Sequence, residues 1–342
     1  MTDGAAASRR LMDLMIGYWA SQAVYTAAKL GLADELADGP ATPAQLADRT
    51  GTHEPSLARL LRFLAELGVV ERDPARGTYR TTEVGRTLRT EEQGSMRDLA
   101  LLYGEEFYAG WGNLTHTVRT GENAFTALHG AAMYPYFGRT PELTAKFDRA
   151  MAASSAFFDP IPTLFDFSEA RTVVDIAGGN GSLLTTVLRA HPHLRGVLFD
   201  TEHVVDAART ELARTELADR LDYAWGDYYE KVPAGGDVYL LSRVLHGRDD
   251  QRCLEVLRRI REVIPEDGAL LIVERVVPED GSPSLAAWFD VHMLAIAGGS
   301  ERTASEYAAL LEQSGFALSV VHGLPLDSEL LVAVPRTRSA DA

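Results

Sequence analysis

Six ionisable side chains in the C-terminal half fall where apolar runs stop. Asp175 lies in "VVDIAGGNGSLL" (173–184), Asp200 closes "GVLFD", and Asp227 follows a third run in "YAWGDYY". Further on, His246 follows the apolar run of "DVYLLSRVLHGRDD", Glu274 stands near the end of "ALLIVERVVP", and Glu301 lies in "GGSERT". Carboxylates gathered along one edge suit a ligand that carries positive charge. An imidazole beside one or two carboxylates suits proton abstraction, because their charge fixes its tautomer and raises its basicity. Taken singly, each residue reads as a turn aspartate, a capped histidine or a solvated loop acid. Their order along successive apolar runs is what calls for a common explanation.

The elements that must position them follow from the pattern after residue 170. Strands are predicted at 172–176, 195–200, 221–225, 237–242 and 269–275, with helices at about 182–190, 203–215, 250–264 and 304–314. Thr303 and Glu306 form a capping box for the last helix, and Gly315 ends it. Two strands, 316–321 and 329–334, close the chain with no helix between them. Alternating strands and helices predict an α/β fold, a Rossmann-like parallel sheet covered on both faces, with an antiparallel last strand. Ligands of such sheets bind beyond the carboxyl ends of the strands, where the three aspartates fall.

A pyrophosphate over the glycine loop would face Asp175 and gain nothing from it. The dinucleotide fingerprint also fails, since Leu184 stands where a third glycine would follow Gly179 and Gly181, and no Gly-Lys-Ser/Thr loop occurs. S-adenosylmethionine, with an ammonium and a sulfonium, fits better. Its amino acid end would meet the glycine loop and Asp175, its ribose hydroxyls Asp200, and its adenine Asp227 and Tyr228. Glycines let the backbone approach such a ligand without a Cβ in the way.

The first third reads as helical. Leu11, Leu14, Met15, Tyr18 and Trp19 form a wide apolar stripe that predicts burial against a partner helix or a second subunit. Thr42, Pro43 and Gly51 bound one short helix, and Leu57, Leu60, Leu61, Leu64 and Leu67 line the next. "VVERD" and "TYRTT" then read as a hairpin, completing the outline of a winged helix. The domains expected are 1–95 (winged helix), 96–168 (aromatic-rich helical linker and substrate lid) and 169–336 (sheet domain). The 342 residues carry 49 acidic against 33 basic side chains, a net charge of −16, which favours a dimerisation role for the winged helix over nucleic-acid binding. Cys253 is the only cysteine, so neither an intramolecular disulfide nor a cysteine-based zinc site forms within the chain. With no secretory signal and no membrane-length apolar run, the expected location is cytoplasmic.

Taken together, "GYWASQAVYTAAKLGLADEL", "LARLLRFLAELGV", "VVDIAGGNGSLL", "FDTEHVV", "GDYYEKVPAGGDVYLL", "VLHGRDD" and "GGSERT" resemble the class I S-adenosylmethionine-dependent O-methyltransferases of the plant caffeate and bacterial aromatic-polyketide and phenazine type. The resemblance runs from about residue 10 to 335. It implies a homodimer that methylates a phenolic or enolic hydroxyl of a small aromatic substrate, without a metal. It puts the cofactor contacts on the loop Asp175, Ala177, Gly178, Gly179 and Gly181 and on Asp200, Asp227, Tyr228 and Ser242. It makes His246 the general base, supported by Glu274 and Glu301, and sets Phe147, Met151 and Met293 against the substrate. Three departures stand out. Ala177 replaces the usual first loop glycine, Ser242 a frequent lysine or arginine, and Gly247-Arg248 the usual Asp-Trp. The last leaves open a relative that binds the cofactor for hydroxylation, decarboxylation or pericyclic chemistry. A winged-helix regulator is the remaining alternative.

Overall fold

The computed structural model describes residues 3–336 apart from 93 and 154. The chain divides into two units, Met1–Gly112 with Tyr134–Ser154, and Asn113–Met133 with Ser155–Ala342, so the stretch 96–168 contributes to both.

In the first unit, helices Asp3–Met15 and Gly17–Lys29 precede a compact motif of helices Pro43–Thr50 and Glu54–Glu66 and a hairpin of β1 (Val70–Asp73) and β2 (Thr78–Thr81). Thr42 accepts the Gln45 amide while the Gln45 side chain accepts the Thr42 amide, the reciprocal cap that starts the first of these helices. Leu46, Leu57, Leu61 and Leu64 pack with Tyr79 in the core of the motif. The N-terminal stripe is different. Leu11, Leu14, Met15, Tyr18 and Trp19 are 51–58% exposed in the single chain, an apolar surface too large to leave in water without a purpose.

The second unit holds a seven-stranded sheet in the order β5-β4-β3-β6-β7-β9-β8, with β3 Thr172–Ile176, β4 Arg195–Asp200, β5 Leu221–Trp225, β6 Val238–Ser242, β7 Ala269–Glu274, β8 Phe316–Leu324 and β9 Ser328–Pro335. The first five pair in parallel, and β9 enters antiparallel between β7 and β8. Helices Ser182–Ala190 and Glu202–Leu212 bury Leu184, Leu188 and Ala208 on one face. Helices Asp250–Val263 and Ala304–Gln313 bury Val256, Ile260 and Leu310 on the other. Side chains of successive strand residues alternate between these cores, so Val173 and Asp175 share a face while Val174 and Ile176 take the opposite one. The predicted α/β sheet with its antiparallel end is therefore present. Helix 203–215 starts one residue earlier and ends at Leu212. No helix among the described residues is long and apolar enough to cross a membrane.

Candidate active site

The loop after β3 is built for close approach. Ala177, Gly179 and Gly181 all take positive φ, at +54°, +57° and +77°. A Cβ on Gly178 would meet the Asp175 carboxyl carbon at 2.7 Å and a Leu198 methyl at 2.5 Å. That contact shows where Asp175 lies. It sits beneath the loop, 1% exposed, and no hydrogen bond of good geometry reaches either carboxylate oxygen. Burial, reinforced by the charge of Asp200, pushes its pKa up to about 8, and the Leu184 amide offsets this only in part. A strained alanine and an unsatisfied buried acid mark a place whose polar balance the chain does not complete by itself.

Asp200, at the end of β4, accepts from the Gly179 amide at 3.0 Å and the Thr201 amide at 2.7 Å, so it braces the loop while keeping lone pairs in reserve. Asp227 is exposed just past β5 and accepts from the Tyr229 amide at 2.8 Å. Tyr228 packs on Tyr229 with ring centroids 4.6 Å apart. Ser242 ends β6 with its hydroxyl buried and without a partner.

His246 lies on the short turn Leu245–Gly247 after β6. Its Nδ1 stands 2.9 Å from Glu301 Oε1 and 3.5 Å from Glu274 Oε2. A carboxylate has only lone pairs to offer, so Nδ1 carries the proton and donates to Glu301, which leaves Nε2 as an acceptor. Burial alone would lower the histidine pKa. The charge of Glu274 and the Glu301 hydrogen bond and charge outweigh it, and the net shift is upward. Glu274 is not the solvated strand end its position suggests. It is buried, and its Oε1 accepts the amides of Val244 at 2.9 Å and Leu245 at 2.8 Å, with His246 N at 3.4 Å. The ligand atoms of His246, Glu274 and Glu301 lie within 4.8 Å of one another, a spacing open to an ion. The hydrogen bond between His246 Nδ1 and Glu301 ties imidazole and carboxylate together.

Comparison with known proteins bears directly on this geometry. The O-methyltransferase domain model matches residues 111–317 and the O-methyltransferase dimerisation domain model residues 12–91. The chain belongs to the S-adenosylmethionine-dependent O-methyltransferases. It is 45% identical over 332 residues to a 3-amino-4-hydroxybenzoate 4-O-methyltransferase of Streptomyces cremeus, covering 96% of this chain and 91% of the relative. It is 35% identical over 328 residues to a phenazine-1-carboxylate N-methyltransferase of Pseudomonas aeruginosa, covering 96% and 97%. Among solved structures, LaPhzM superposes with a TM-score of 0.90 at 41% identity, over 96% and 99% of the two chains. NcsB1 from neocarzinostatin biosynthesis, in complex with S-adenosyl-L-homocysteine and 1,4-dihydroxy-2-naphthoic acid, gives 0.77 at 32%, over 92% and 96%.

This methyltransferase holds the His246 turn with residues that sequence reasoning missed. Arg302, next to Glu301 and buried, donates to the carbonyls of Leu245 at 3.1 Å and Arg248 at 2.8 Å and pairs with Asp250 at 2.8 Å. Asp290 accepts the Glu301 amide at 3.0 Å. The Cys253 thiol, which burial pushes up to about 12, donates to the Leu245 carbonyl. Gly299 approaches so closely that a Cβ would stand 1.9 Å from the His246 carbonyl oxygen, and the Ser300 amide donates to that same oxygen at 2.9 Å. Gly299→Ala must therefore displace His246. A shift of about 1 Å at a reacting group can cost on the order of 10²-fold. A loss of that size in kcat with donor affinity unchanged is expected, and steady-state kinetics beside calorimetry checks it.

Helix Leu285–His292 continues as a π-helical turn, Met293–Ala297, an arrangement frequent at functional sites. Met293 is buried at its start, and the Leu294 carbonyl accepts from Asn123 at 3.0 Å. His292 is buried just before it. Burial, then the charges of His246 and Arg275, lower its pKa to about 4, so it stays neutral near pH 7. Phe147 and Met151 belong to the first unit, on helix Pro141–Ala152, where Phe147 stacks on Phe137 with centroids 4.7 Å apart.

Proposed function

We propose that the protein transfers a methyl group from S-adenosylmethionine to a phenolic or enolic hydroxyl on a small aromatic secondary metabolite, with His246 as general base. The hydrogen bond from His246 Nδ1 to Glu301 carries this reading, since it aims an unprotonated Nε2 away from the acids. A phenol has a pKa of about 10 and is mostly protonated near neutral pH. His246 Nε2 takes the hydroxyl proton as the oxygen attacks, while Glu301 and Glu274 stabilise the resulting imidazolium. Bound S-adenosylmethionine supplies a methyl group on a sulfonium, an electrophile that needs no metal to activate it. Alignment of acceptor oxygen, methyl and sulfur supplies the rest, with roughly 7–11 kcal/mol available from orientation.

The loop 175–181, Ser242, Asp200, Asp227 and Tyr228 are the proposed donor contacts. The unpartnered Ser242 hydroxyl supports this, as a buried polar group that a ligand rich in N–H and O–H groups would satisfy. Phe147, Met151 and Met293 are the proposed acceptor contacts. The similarity to the 3-amino-4-hydroxybenzoate 4-O-methyltransferase suggests hydroxyaryl acids as the first acceptors to try. The exposed stripe Leu11–Trp19, within the stretch matched by the dimerisation model, is the proposed homodimer contact.

Asp200→Ala should weaken S-adenosylhomocysteine about 10–100-fold, since the variant loses both a charged acceptor and the brace on Gly179, and leave kcat at saturating donor close to wild type. Calorimetry and donor titration read the two effects separately. The assignment as a whole is tested by incubating the enzyme with S-adenosylmethionine and a panel of hydroxyaryl acids, with and without a metal chelator. Equimolar methylated product and S-adenosylhomocysteine, undiminished by chelator, are expected. Acceptor conversion without release of S-adenosylhomocysteine would instead establish a non-methylating relative, the reading that Gly247-Arg248 leaves open.

A further inference from the structure

The turn Leu245–Gly247 and the residue after it reach in two directions. His246 turns to Glu274 and Glu301. Arg248, two residues on, turns to the loop beyond β5, where its Nη2 donates to the Tyr228 hydroxyl at 3.0 Å. The Arg248 backbone is itself fixed, because its carbonyl accepts from buried Arg302 at 2.8 Å. The ring side of Tyr228 is backed by Tyr229, which is in turn held by Arg252 over its ring at 4.8 Å and by Arg259 Nε donating to its carbonyl at 3.0 Å. Tyr228 is thus gripped at both ends, by a hydrogen bond at the hydroxyl and by an aromatic neighbour along the ring. Asp227, in the same loop, precedes it directly.

An indole is usual at position 248 in the family and would offer a flat wall of its own. The arginine here offers none. It reaches further and acts through a second aromatic ring, and a guanidinium donor to a phenolic oxygen is a charge-assisted bond with a preferred direction.

We propose that Arg248 is a positioning residue for the methyl donor. By holding the Tyr228 hydroxyl, it sets the ring on which adenine packs, and it links the segment that carries the base to the adenine end of the donor. This rests on the reading of Asp227 and Tyr228 as adenine contacts. The base itself is secured independently by Glu274, Glu301 and Arg302, so the effect should appear in donor affinity more than in the chemical step.

Arg248→Met, Tyr228→Phe and the double variant test it, with S-adenosylhomocysteine binding measured by calorimetry and turnover followed across donor concentrations. Each single variant is expected to weaken binding by about 5–30-fold, with a larger rise in donor KM than fall in kcat. The double variant should bind no more weakly than the Arg248→Met single one, because both substitutions break the Arg248–Tyr228 bond and Arg248→Met also gives up the bond from Nη1 to the Gly247 carbonyl at 3.2 Å. Tyr228→Phe removes only an oxygen, so it reports even if Arg248→Met folds poorly. Unchanged affinity in Tyr228→Phe, or losses that multiply in the double variant, would overturn the proposal. Failure of the wild-type protein to bind S-adenosylhomocysteine at all would instead remove the donor-site reading beneath it.

Discussion

His246→Ala is expected to lower turnover by about 10²–10⁴-fold, the usual contribution of a positioned general base, while S-adenosylhomocysteine still binds nearly as in wild type. The separation follows from the architecture. The proposed donor contacts come from the ends of β3, β4 and β5 and from Ser242, whereas the proposed base, His246, hangs on a turn clasped by Glu274, Arg302 and Gly299. Turnover of the wild-type enzyme should fall with decreasing pH as the imidazole takes a proton and loses its Nε2 lone pair. Glu274 and Glu301 favour the charged form and Arg243 and burial oppose it, with a net upward shift. The acid limb of the pH profile therefore lies above the ordinary histidine value of 6.5. A limb below that value, or an alanine variant at wild-type rate, would remove His246 from the role. The same residue links to stability. Its folded pKa is raised, so its ionic contribution is full below the unfolded value and fades as pH rises through the folded one.

How far the sequence reached depended on what each residue's role rests on. Strand ends such as Asp200 were readable because apolar runs stop on polar residues, and the parallel order followed from alternation with helices. Asp175 was readable in position and not in environment. Its place one residue before the strand's end turns it onto an inner face, and only the packed Leu198 and Gly178 reveal that it is sealed. The helix Leu285–His292 went unread, although Ser284 caps it by accepting the Ala287 amide, a signal that was available. The π-turn after it has no local signature. Gly299 and Arg302 contact the His246 turn, and Asp290 holds the Glu301 amide, only once the sheet has assembled, so their spacing carried no hint. Ala177 stands where the family usually has the first loop glycine. Its φ of +54° shows that the chain bears backbone strain at the loop.

Glu274 separates two jobs that a single substitution would confuse. Its Oε1 is the acceptor for the Val244 and Leu245 amides, and its charge is the leading influence that raises the His246 pKa. Glu274→Ala removes both. Two buried amides then lack a partner, each costing about 1–3 kcal/mol, so a clear fall in melting temperature should accompany loss of turnover. Glu274→Gln keeps a carbonyl oxygen where the amides point and removes only the charge. Its stability should stay close to wild type, while the acid limb moves to lower pH because the imidazolium has lost an anionic neighbour. Thermal unfolding and pH–rate profiles of the pair distinguish the roles. Should the glutamine variant keep the wild-type acid limb, the charge of Glu274 does not tune the base, and Glu301 alone must do so. Should it melt as low as the alanine variant, the ionised carboxylate itself holds the turn, and base and scaffold rest on one buried charge.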